Sequence, residues 1–153
     1  MNVSAKQHTL IIGIGNPLRR DDGLGWKVAE QLVQDDDPGQ TILTVHQLTP
    51  ELVQWMAAAD LVVLIDASRE GEPGELEVRP LSPRPHTGAI GSHHFSPEEL
   101  LALTTAIYDH CPPAFMVSMT GADFAIGEQL SSIVAQKIPL LSASVRQMCM
   151  HNT

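Results

Sequence analysis

Apolar residues along the chain follow two patterns, and each pattern predicts a different kind of element. Short, almost continuous apolar runs rich in β-branched residues predict buried strands at 9–14, 41–46, 61–65 and 114–119. Between these runs, apolar residues recur every three or four positions. This spacing predicts helices over about 23–34, 49–59, from 97 to the prolines at 112 and 113, and from about 130 onward. Residues 75–79 alternate between apolar and polar, which predicts a half-exposed strand at a sheet edge.

Local signals add detail to several of these boundaries. Residues 96–99 are Ser-Pro-Glu-Glu, a capping box with proline at the first helical position. Residues 49–51 are Thr-Pro-Glu, which predicts a threonine N-cap for the second helix. Pro139 lies inside the last apolar repeat, so we expect that helix to kink or split. Residues 80–92 are rich in proline and glycine and predict a long loop of the kind that often serves function.

The order of these elements indicates the fold class. Helices alternate with apolar strands, which is typical of a three-layer αβα sandwich around a mostly parallel, twisted sheet. We expect about five strands, with residues 75–79 forming one antiparallel edge strand. The sequence shows no internal repeat and no linker, so residues 1–153 are predicted to form a single α/β domain.

Composition removes some classes of function. The net charge of −9 disfavours binding to nucleic acid, which depends on contacts between cationic side chains and phosphates. No apolar run approaches the roughly 18 residues of a membrane span, and the N-terminus lacks a signal-peptide pattern. We therefore expect a cytoplasmic protein that binds no membrane. Cys111 and Cys149 are far apart and fit no metal-binding spacing, so free thiols are expected.

Candidate chemistry lies where the predicted strands end, because sites in open α/β sheets form at the carboxyl ends of the strands. Asp21 and Asp22 follow the first strand, and Asp66 ends the third. His93 and His94 lie in the loop that enters the capped helix. Two carboxylates and an imidazole suit a divalent metal such as zinc or nickel, and they could also polarise a water molecule for hydrolysis.

Each of these residues also has an ordinary structural interpretation. Asp21 or Asp22 could cap the helix that begins near residue 23, although a single cap needs only one carboxylate. Asp66 could bond to a turn amide at the end of its strand. His93 or His94 could be an unremarkable loop histidine. The sequence alone leaves these alternatives open.

The loop after the first strand, GIGNPLRRDDGLG at 13–25, resembles a nucleotide loop only superficially. A dinucleotide fingerprint requires a third glycine three residues after the second, and here the next glycine after Gly15 is Gly23. The Gly-Lys-Ser/Thr of a phosphate-binding P-loop is absent, and two aspartates would repel an anion. The loop therefore favours a cation, or a peptide near a cation.

Residues 13–25 resemble the N-terminal signature of the hydrogenase maturation endopeptidases. In VVLIDA, Asp66 matches the aspartate that this family places at the end of its third strand. In SHHFSPEELLAL, His93 matches the family's histidine better than His94 does, and QLSSIVAQKIP resembles the family's C-terminal helix. The similarity extends over nearly the whole chain.

The resemblance implies an endopeptidase, of an aspartyl type, that removes the C-terminal extension from the large-subunit precursor of a nickel–iron hydrogenase. It implies that Asp22, Asp66 and His93 form both the metal site and the catalytic site. The nickel is expected to arrive with the precursor, and zinc or cadmium can occupy the same site. The chain is expected to act as a monomer on this one partner.

The resemblance also assigns roles to other residues of the loop. Asp21 is expected to cap the following helix or to adjust the charge on Asp22. The remaining residues are expected to shape the backbone close to the peptide substrate: Gly13, Gly15, Asn16 and Gly23.

The segment after the second strand departs from many members of the family. They carry Asp-Gly-Gly-Thr there, whereas this chain has His46-Gln47-Leu48-Thr49. The difference resembles the branch that serves bidirectional, NAD-coupled hydrogenases. His46, Gln47 and Thr49 are therefore predicted to help decide which precursor is accepted.

Two other functions remain as alternatives. Peptidyl-tRNA hydrolases also have G-x-G-N-P after the first strand, but there a glycine follows the proline, and here Leu18 follows Pro17. A non-enzymatic chaperone that senses nickel and docks on the hydrogenase subunit could use the same three ligands. Peptide release would separate the chaperone from the peptidase.

Overall fold

The structure, a computed structural model, describes residues 7–86 and 94–151. Five strands form one sheet: β1 (Thr9–Ile14), β2 (Gln40–Val45), β3 (Leu61–Ser68), β4 (Leu76–Leu81) and β5 (Ala114–Thr120). Their order across the sheet is β2-β1-β3-β5-β4, and every neighbouring pair is parallel except β4 with β5. This confirms the predicted parallel sheet with an antiparallel edge strand.

Four α-helices cover the sheet: α1 (Leu24–Val33), α2 (Val53–Ala57), α3 (Pro97–Tyr108) and α4 (Ser132–His151). Two single 3-10 turns, Arg20–Gly23 and Pro50–Leu52, lead into α1 and α2. None of the helices within 7–86 and 94–151 is both long enough and apolar enough to cross a membrane.

The sheet separates two apolar cores, which explains why the central strands are apolar on both faces. On one face, residues of β1 and β3 pack with α2 and α3, including Leu64, Met56 and Leu100. On the other face, the alternate strand residues pack with α1 and α4, including Val28 and Leu141. All six residues of β1 are buried. Helices on both sides of the sheet give the predicted three-layer αβα sandwich.

The strand order creates a crevice at the carboxyl ends of β1 and β3. From β1 the chain passes first to β2 on one side and then to β3 on the other, so the connections leave β1 in opposite directions. Such a point, where the strand order reverses, is where open α/β sheets bind ligands. The loop after β1 and the final residues of β3 therefore border the same crevice.

Several predicted elements differ from the structure in their bounds or continuity, and three of these differences have a clear physical reason. β3 does not end at Asp66, because its pairing with β5 continues to Ser68 after its pairing with β1 ends at Ile65. Pro80 belongs to β4 instead of opening a loop. An edge strand tolerates proline because its outer edge makes no ladder hydrogen bonds. Helix α4 continues through Pro139 without splitting, since Pro139 is exposed and water can satisfy the freed carbonyl.

The two predicted helix caps have different outcomes. The capping box before α3 is confirmed: Ser96 Oγ accepts from the Glu99 amide at 3.1 Å, and the Glu99 carboxylate accepts from the Ser96 amide at 3.0 Å. Thr49 occupies an N-cap position but makes no side-chain cap bond. Its hydroxyl instead donates to the Glu51 carboxylate at 2.8 Å, so the predicted N-cap position is confirmed but the Thr49 side chain caps no backbone amide.

Candidate functional site

The loop after β1 is folded tightly because Gly15 has a backbone conformation that other residues avoid. Its φ angle is +138°, and a Cβ atom there would lie 1.9 Å from the carbonyl oxygen of Asp22. Asn16 continues the turn, since its side-chain oxygen accepts from the Leu18 amide at 2.9 Å. The loop therefore returns on itself and brings Asp22 back beside Gly15.

Two other predicted loop residues, Gly13 and Gly23, provide close backbone approach. A Cβ at Gly13 would lie 2.4 Å from the carbonyl oxygen of Gly25, and one at Gly23 would lie 2.7 Å from the Cα of Pro17. These contacts press the start of α1 against the end of β1. Their role is to shape the loop, as predicted, and their contact with a substrate remains a prediction.

Asp22 lies on the 3-10 turn before α1 and is half-buried. Its carboxylate accepts from the Asn16 amide at 2.9 Å, and its own amide donates to the Arg19 carbonyl at 3.0 Å. The N-cap position of α1 is Gly23, and no side chain caps the helix. The interpretation of Asp22 as a helix cap is therefore wrong.

Asp66, on the last part of β3, faces the same crevice as Asp22. Its carboxylate is half-buried and accepts from the Ala67 amide at 2.8 Å. The pKa of Asp66 is raised to about 7, chiefly by burial; the Ala67 hydrogen bond acts to lower it, and the negative charge of Asp22 adds a smaller upward effect. The structure thus brings together two carboxylates that lie 44 positions apart in the sequence and repel each other when both are ionised.

Asp21 points away from this pair, into the protein. Its side chain is 0% exposed and accepts hydrogen bonds from the amides of Ala122, Asp123 and Ser131 at 2.7, 3.0 and 2.7 Å. The Ser131 hydroxyl donates a fourth at 2.7 Å. Burial acts to raise the pKa of Asp21, but these hydrogen bonds outweigh it and lower the pKa. The predicted helix cap is wrong, and so is a place among the substrate-contacting residues, because no carboxylate oxygen reaches the surface.

The segment after β2 lies beside α1. The Val45 carbonyl accepts from both the Gly15 amide and the Trp26 indole, each at 3.0 Å. The Trp26 ring meets the His46 ring edge-on, with centroids 5.2 Å apart. His46 and the following Gln47 are exposed, while Thr49 is half-buried. Sequence reasoning missed Trp26, although a tryptophan in the first turn after the loop was a visible signal.

The third predicted ligand, His93, lies outside the described residues, so its role stays a prediction. His94 is described and is exposed just before α3. Within residues 7–86 and 94–151, no three histidine, cysteine, aspartate or glutamate side chains form a group that could hold a metal ion. The described part of the site therefore consists of two carboxylates.

Sequence reasoning also missed the loop at 121–131, which supplies every hydrogen bond to the Asp21 carboxylate. This loop follows β5 at the same end of the sheet as Asp66. Applying the carboxyl-end rule to β5 as well as to β1 and β3 would have indicated it.

The carboxylate pair fits a divalent cation. Two half-buried acidic groups that repel each other are both stabilised when a cation lies between them, and carboxylate oxygens are suitable ligands for such ions. Without a cation, the pKa of about 7 lets Asp66 hold a proton near neutral pH, which removes its repulsion from Asp22.

The chain is thus an αβα protein with an acidic pair at the switch point of its sheet, and solved structures share this fold. The [NiFe] hydrogenase maturation protease HycI from Thermococcus kodakarensis KOD1 is 24% identical, with a TM-score of 0.75 over 96% of this chain and 95% of that one. The hydrogenase maturating endopeptidase HybD from E. coli is 20% identical, with a TM-score of 0.77 over 94% and 93%. HybD from Thermococcus kodakarensis is 20% identical, with a TM-score of 0.70 over 93% and 99%.

At these identities the similarity shows the fold. No protein-family profile matches the chain, and no curated protein matches it.

Proposed function

We propose that this chain is a hydrogenase maturation endopeptidase. It hydrolyses one peptide bond and so removes the C-terminal extension of a nickel–iron hydrogenase large-subunit precursor after nickel has been inserted. One observation carries the proposal: Asp22 and Asp66 come together at the switch point of a fold shared with HycI and HybD. The resemblance of residues 13–25 to the family signature adds independent support.

In this proposal, Asp22 and Asp66 bind the nickel ion that the precursor carries, and His93 supplies the third ligand. Two or three protein ligands leave coordination positions free for groups of the precursor. An incomplete site of this kind binds a free ion weakly and a precursor-held ion well. The enzyme therefore distinguishes a nickel-loaded precursor from an empty one.

The carboxylates assist cleavage in one of two ways. Either the carboxylates hold the nickel ion of the precursor, which would supply an activated water for attack on the scissile carbonyl, or a carboxylate takes the proton from that water while nickel serves only recognition. In both cases one water is consumed, the C–N bond breaks, and the leaving amine gains a proton. Loss of recognition alone raises KM, whereas loss of the chemical group lowers kcat.

Precursor choice is assigned to residues 46–51. His46 and Gln47 are exposed at the rim of the crevice, and the edge contact with Trp26 fixes the His46 ring. We assign this segment to a precursor of the bidirectional, NAD-coupled class. The protein acts in the cytoplasm as a monomer.

A cleavage assay with purified proteins tests the function. The chain is mixed with nickel-loaded or nickel-free precursor, and the decrease in precursor mass is followed by gel and mass spectrometry. We expect cleavage of the nickel-loaded form only, and a loss on the order of 100-fold or more in kcat/KM for Asp22→Asn and Asp66→Asn.

Asp36→Asn is the matched control. Asp36 undergoes the same chemical change, is exposed at the far end of α1, and has a left-handed φ of +48° that asparagine tolerates. Its cleavage rate is expected to equal that of the wild type.

Three results would contradict the proposal. Equal cleavage of both precursors would contradict nickel-dependent recognition. Full activity of Asp22→Asn would contradict the assignment of Asp22 to the site. A stable complex that never releases a peptide would favour the nickel-sensing chaperone instead.

A further inference from the structure

The loop at 121–131, called here the bridging loop, connects the two segments that carry the acidic pair. At its start, the Gly121 amide donates to the Ser68 carbonyl at 2.9 Å, two residues beyond Asp66. The guanidinium of Arg69 also lies 4.0 Å above the centre of the Phe124 ring. The bridging loop is therefore fastened to the end of β3.

The other side of the bridging loop is fastened to the residues before Asp22. The Gly127 amide donates to the Leu18 carbonyl at 2.8 Å, and the Arg20 amide donates to the Gly127 carbonyl at 2.9 Å. The Asp21 amide donates to the Asp123 carbonyl at 3.0 Å. Arg20 has a φ of +47°, a left-handed conformation that is unfavourable for this residue type and that these bonds maintain.

The Asp21 carboxylate is the centre of this connection. It is fully buried and accepts four hydrogen bonds, all from the bridging loop. The packing is close, because a Cβ on Gly121 would lie 2.9 Å from the Asp21 Cβ and 2.5 Å from the Phe124 ring. Within residues 7–86 and 94–151, the carboxylate of Asp22, the next residue, accepts one hydrogen bond, from the Asn16 amide. Its position therefore depends on how the preceding turn is held.

We propose that Asp21 is a positioning residue, which acts through the bridging loop to set the place of Asp22 relative to Asp66. The assignment rests on the proposed function in so far as the pair is the site of cleavage. The two adjacent aspartates then have separate roles: Asp22 contacts nickel, and Asp21 contacts only the protein. Residues of the bridging loop thereby influence cleavage although none of them is a predicted ligand.

The test compares Ser131→Ala and Asp21→Asn with Ser132→Ala. Ser131→Ala removes one of the four bonds and keeps the amide donor, while Asp21→Asn turns an amide group toward backbone donors. Ser132 is exposed at the start of α4 and serves as the matched control. Urea unfolding identifies conditions under which each variant is fully folded, and all measurements are made there.

The first measurement needs neither metal nor substrate. The Asn16 amide bonds to the Asp22 carboxylate, so its NMR resonance reports where that carboxylate lies. We expect this resonance to shift in Ser131→Ala and Asp21→Asn and to stay in place in Ser132→Ala. A purely structural role for Asp21 would lower stability and leave the resonance of the folded protein unchanged, which would overturn the proposal.

The second measurement is cleavage of nickel-loaded precursor by the folded variants. We expect kcat/KM to fall about tenfold in Ser131→Ala and about 100-fold in Asp21→Asn, since misplacement of a reacting group by about 1 Å costs rates of this order. Wild-type rates in folded Ser131→Ala would overturn the positioning role, and Ser131→Ala decides the matter if Asp21→Asn does not fold. Failure of the wild type to cleave would contradict the proposed function, while the Asn16 resonance would still decide the proposal about Asp21.

Discussion

Replacing Asp66 with asparagine should stabilise the metal-free protein at neutral and alkaline pH, whereas the proposed function expects the same change to impair cleavage. The pKa of Asp66 rises from its ordinary value of 3.8 to about 7 on folding, mainly through burial and then through the charge of Asp22. Between these two pH values the folded protein binds the proton more tightly than the unfolded chain does. The free energy of unfolding therefore falls as pH rises through this window, and the full penalty is present above it.

The size of the effect follows from the two pKa values. Their difference corresponds to about 4 kcal/mol lost from the free energy of unfolding above pH 7. Water reaches a half-buried carboxylate and relaxes around it, so we expect Asp66→Asn to recover about 2 to 4 kcal/mol at about pH 8. The asparagine oxygen can keep the hydrogen bond from the Ala67 amide, so that amide keeps its partner. Below about pH 3, where Asp66 is mostly protonated in both states, the gain should vanish.

The assay is urea unfolding followed by circular dichroism at several pH values, in the presence of a chelator. Asp36→Asn is the control, because its side chain is exposed and its stability should match that of the wild type at every pH. In an Asp22→Asn background the gain should be smaller, since one source of the Asp66 shift is gone. A pH-independent difference between wild type and Asp66→Asn, or a loss of stability at pH 8, would refute the reasoning.

Three further substitutions test how the site and its scaffold are held, each measured by urea unfolding. Gly15→Ala should cost about 3 kcal/mol or more or prevent folding, because its Cβ would collide with the Asp22 carbonyl at a φ of +138°. Ser96→Ala should cost about 1 kcal/mol by removing the N-cap of α3. Trp26→Phe should cost about 1 kcal/mol by leaving the Val45 carbonyl with one partner fewer.

Each of the three has a matched control that should stay within about 0.5 kcal/mol of the wild type. Gly39→Ala changes a glycine whose φ lies outside the left-handed region, and its Cβ would lie 3.2 Å from a carboxylate oxygen of Asp37, an exposed side chain that can shift. Ser132→Ala changes an exposed serine, and Trp55→Phe changes a tryptophan that is 43% exposed. A Gly15→Ala protein as stable as Gly39→Ala would contradict the steric argument.

The fold was predictable because buried strands and helices each require apolar residues at a characteristic spacing in the sequence. The apolar run at 61–65 can be buried on both faces only in a central strand, and β3 is indeed the central strand of the sheet. The boundaries were less predictable, because strand ends depend on partners. β3 extends past Ile65 only because β5 continues to pair with it, and no local signal at residues 66–68 specifies that pairing.

The sequence indicated that Asp22 and Asp66 would lie near each other. It did not indicate that the adjacent residues Asp21 and Asp22 have different roles. The rule that sites form at the carboxyl ends of parallel strands selected Asp22 and Asp66 together with Asp21, His93 and His94, and the family resemblance then favoured Asp22 over Asp21. The structure places Asp22 and Asp66 at one crevice. Adjacent aspartates look equivalent in sequence. Their different roles depend on Ser131 and its loop, which lie more than 100 positions away. No local pattern in the sequence indicates this contact.

By itself, the sequence determined which segments are buried, which kind of element each forms, and which acidic residues follow the strands. These properties are local, because side-chain polarity and backbone preference act within a few residues. Only the tertiary structure decided that Asp21 is enclosed by four hydrogen bonds while Asp22 faces Asp66. Burial and charge interaction depend on groups brought together from distant segments, and they alone separate a carboxylate that anchors a loop from one that borders the crevice.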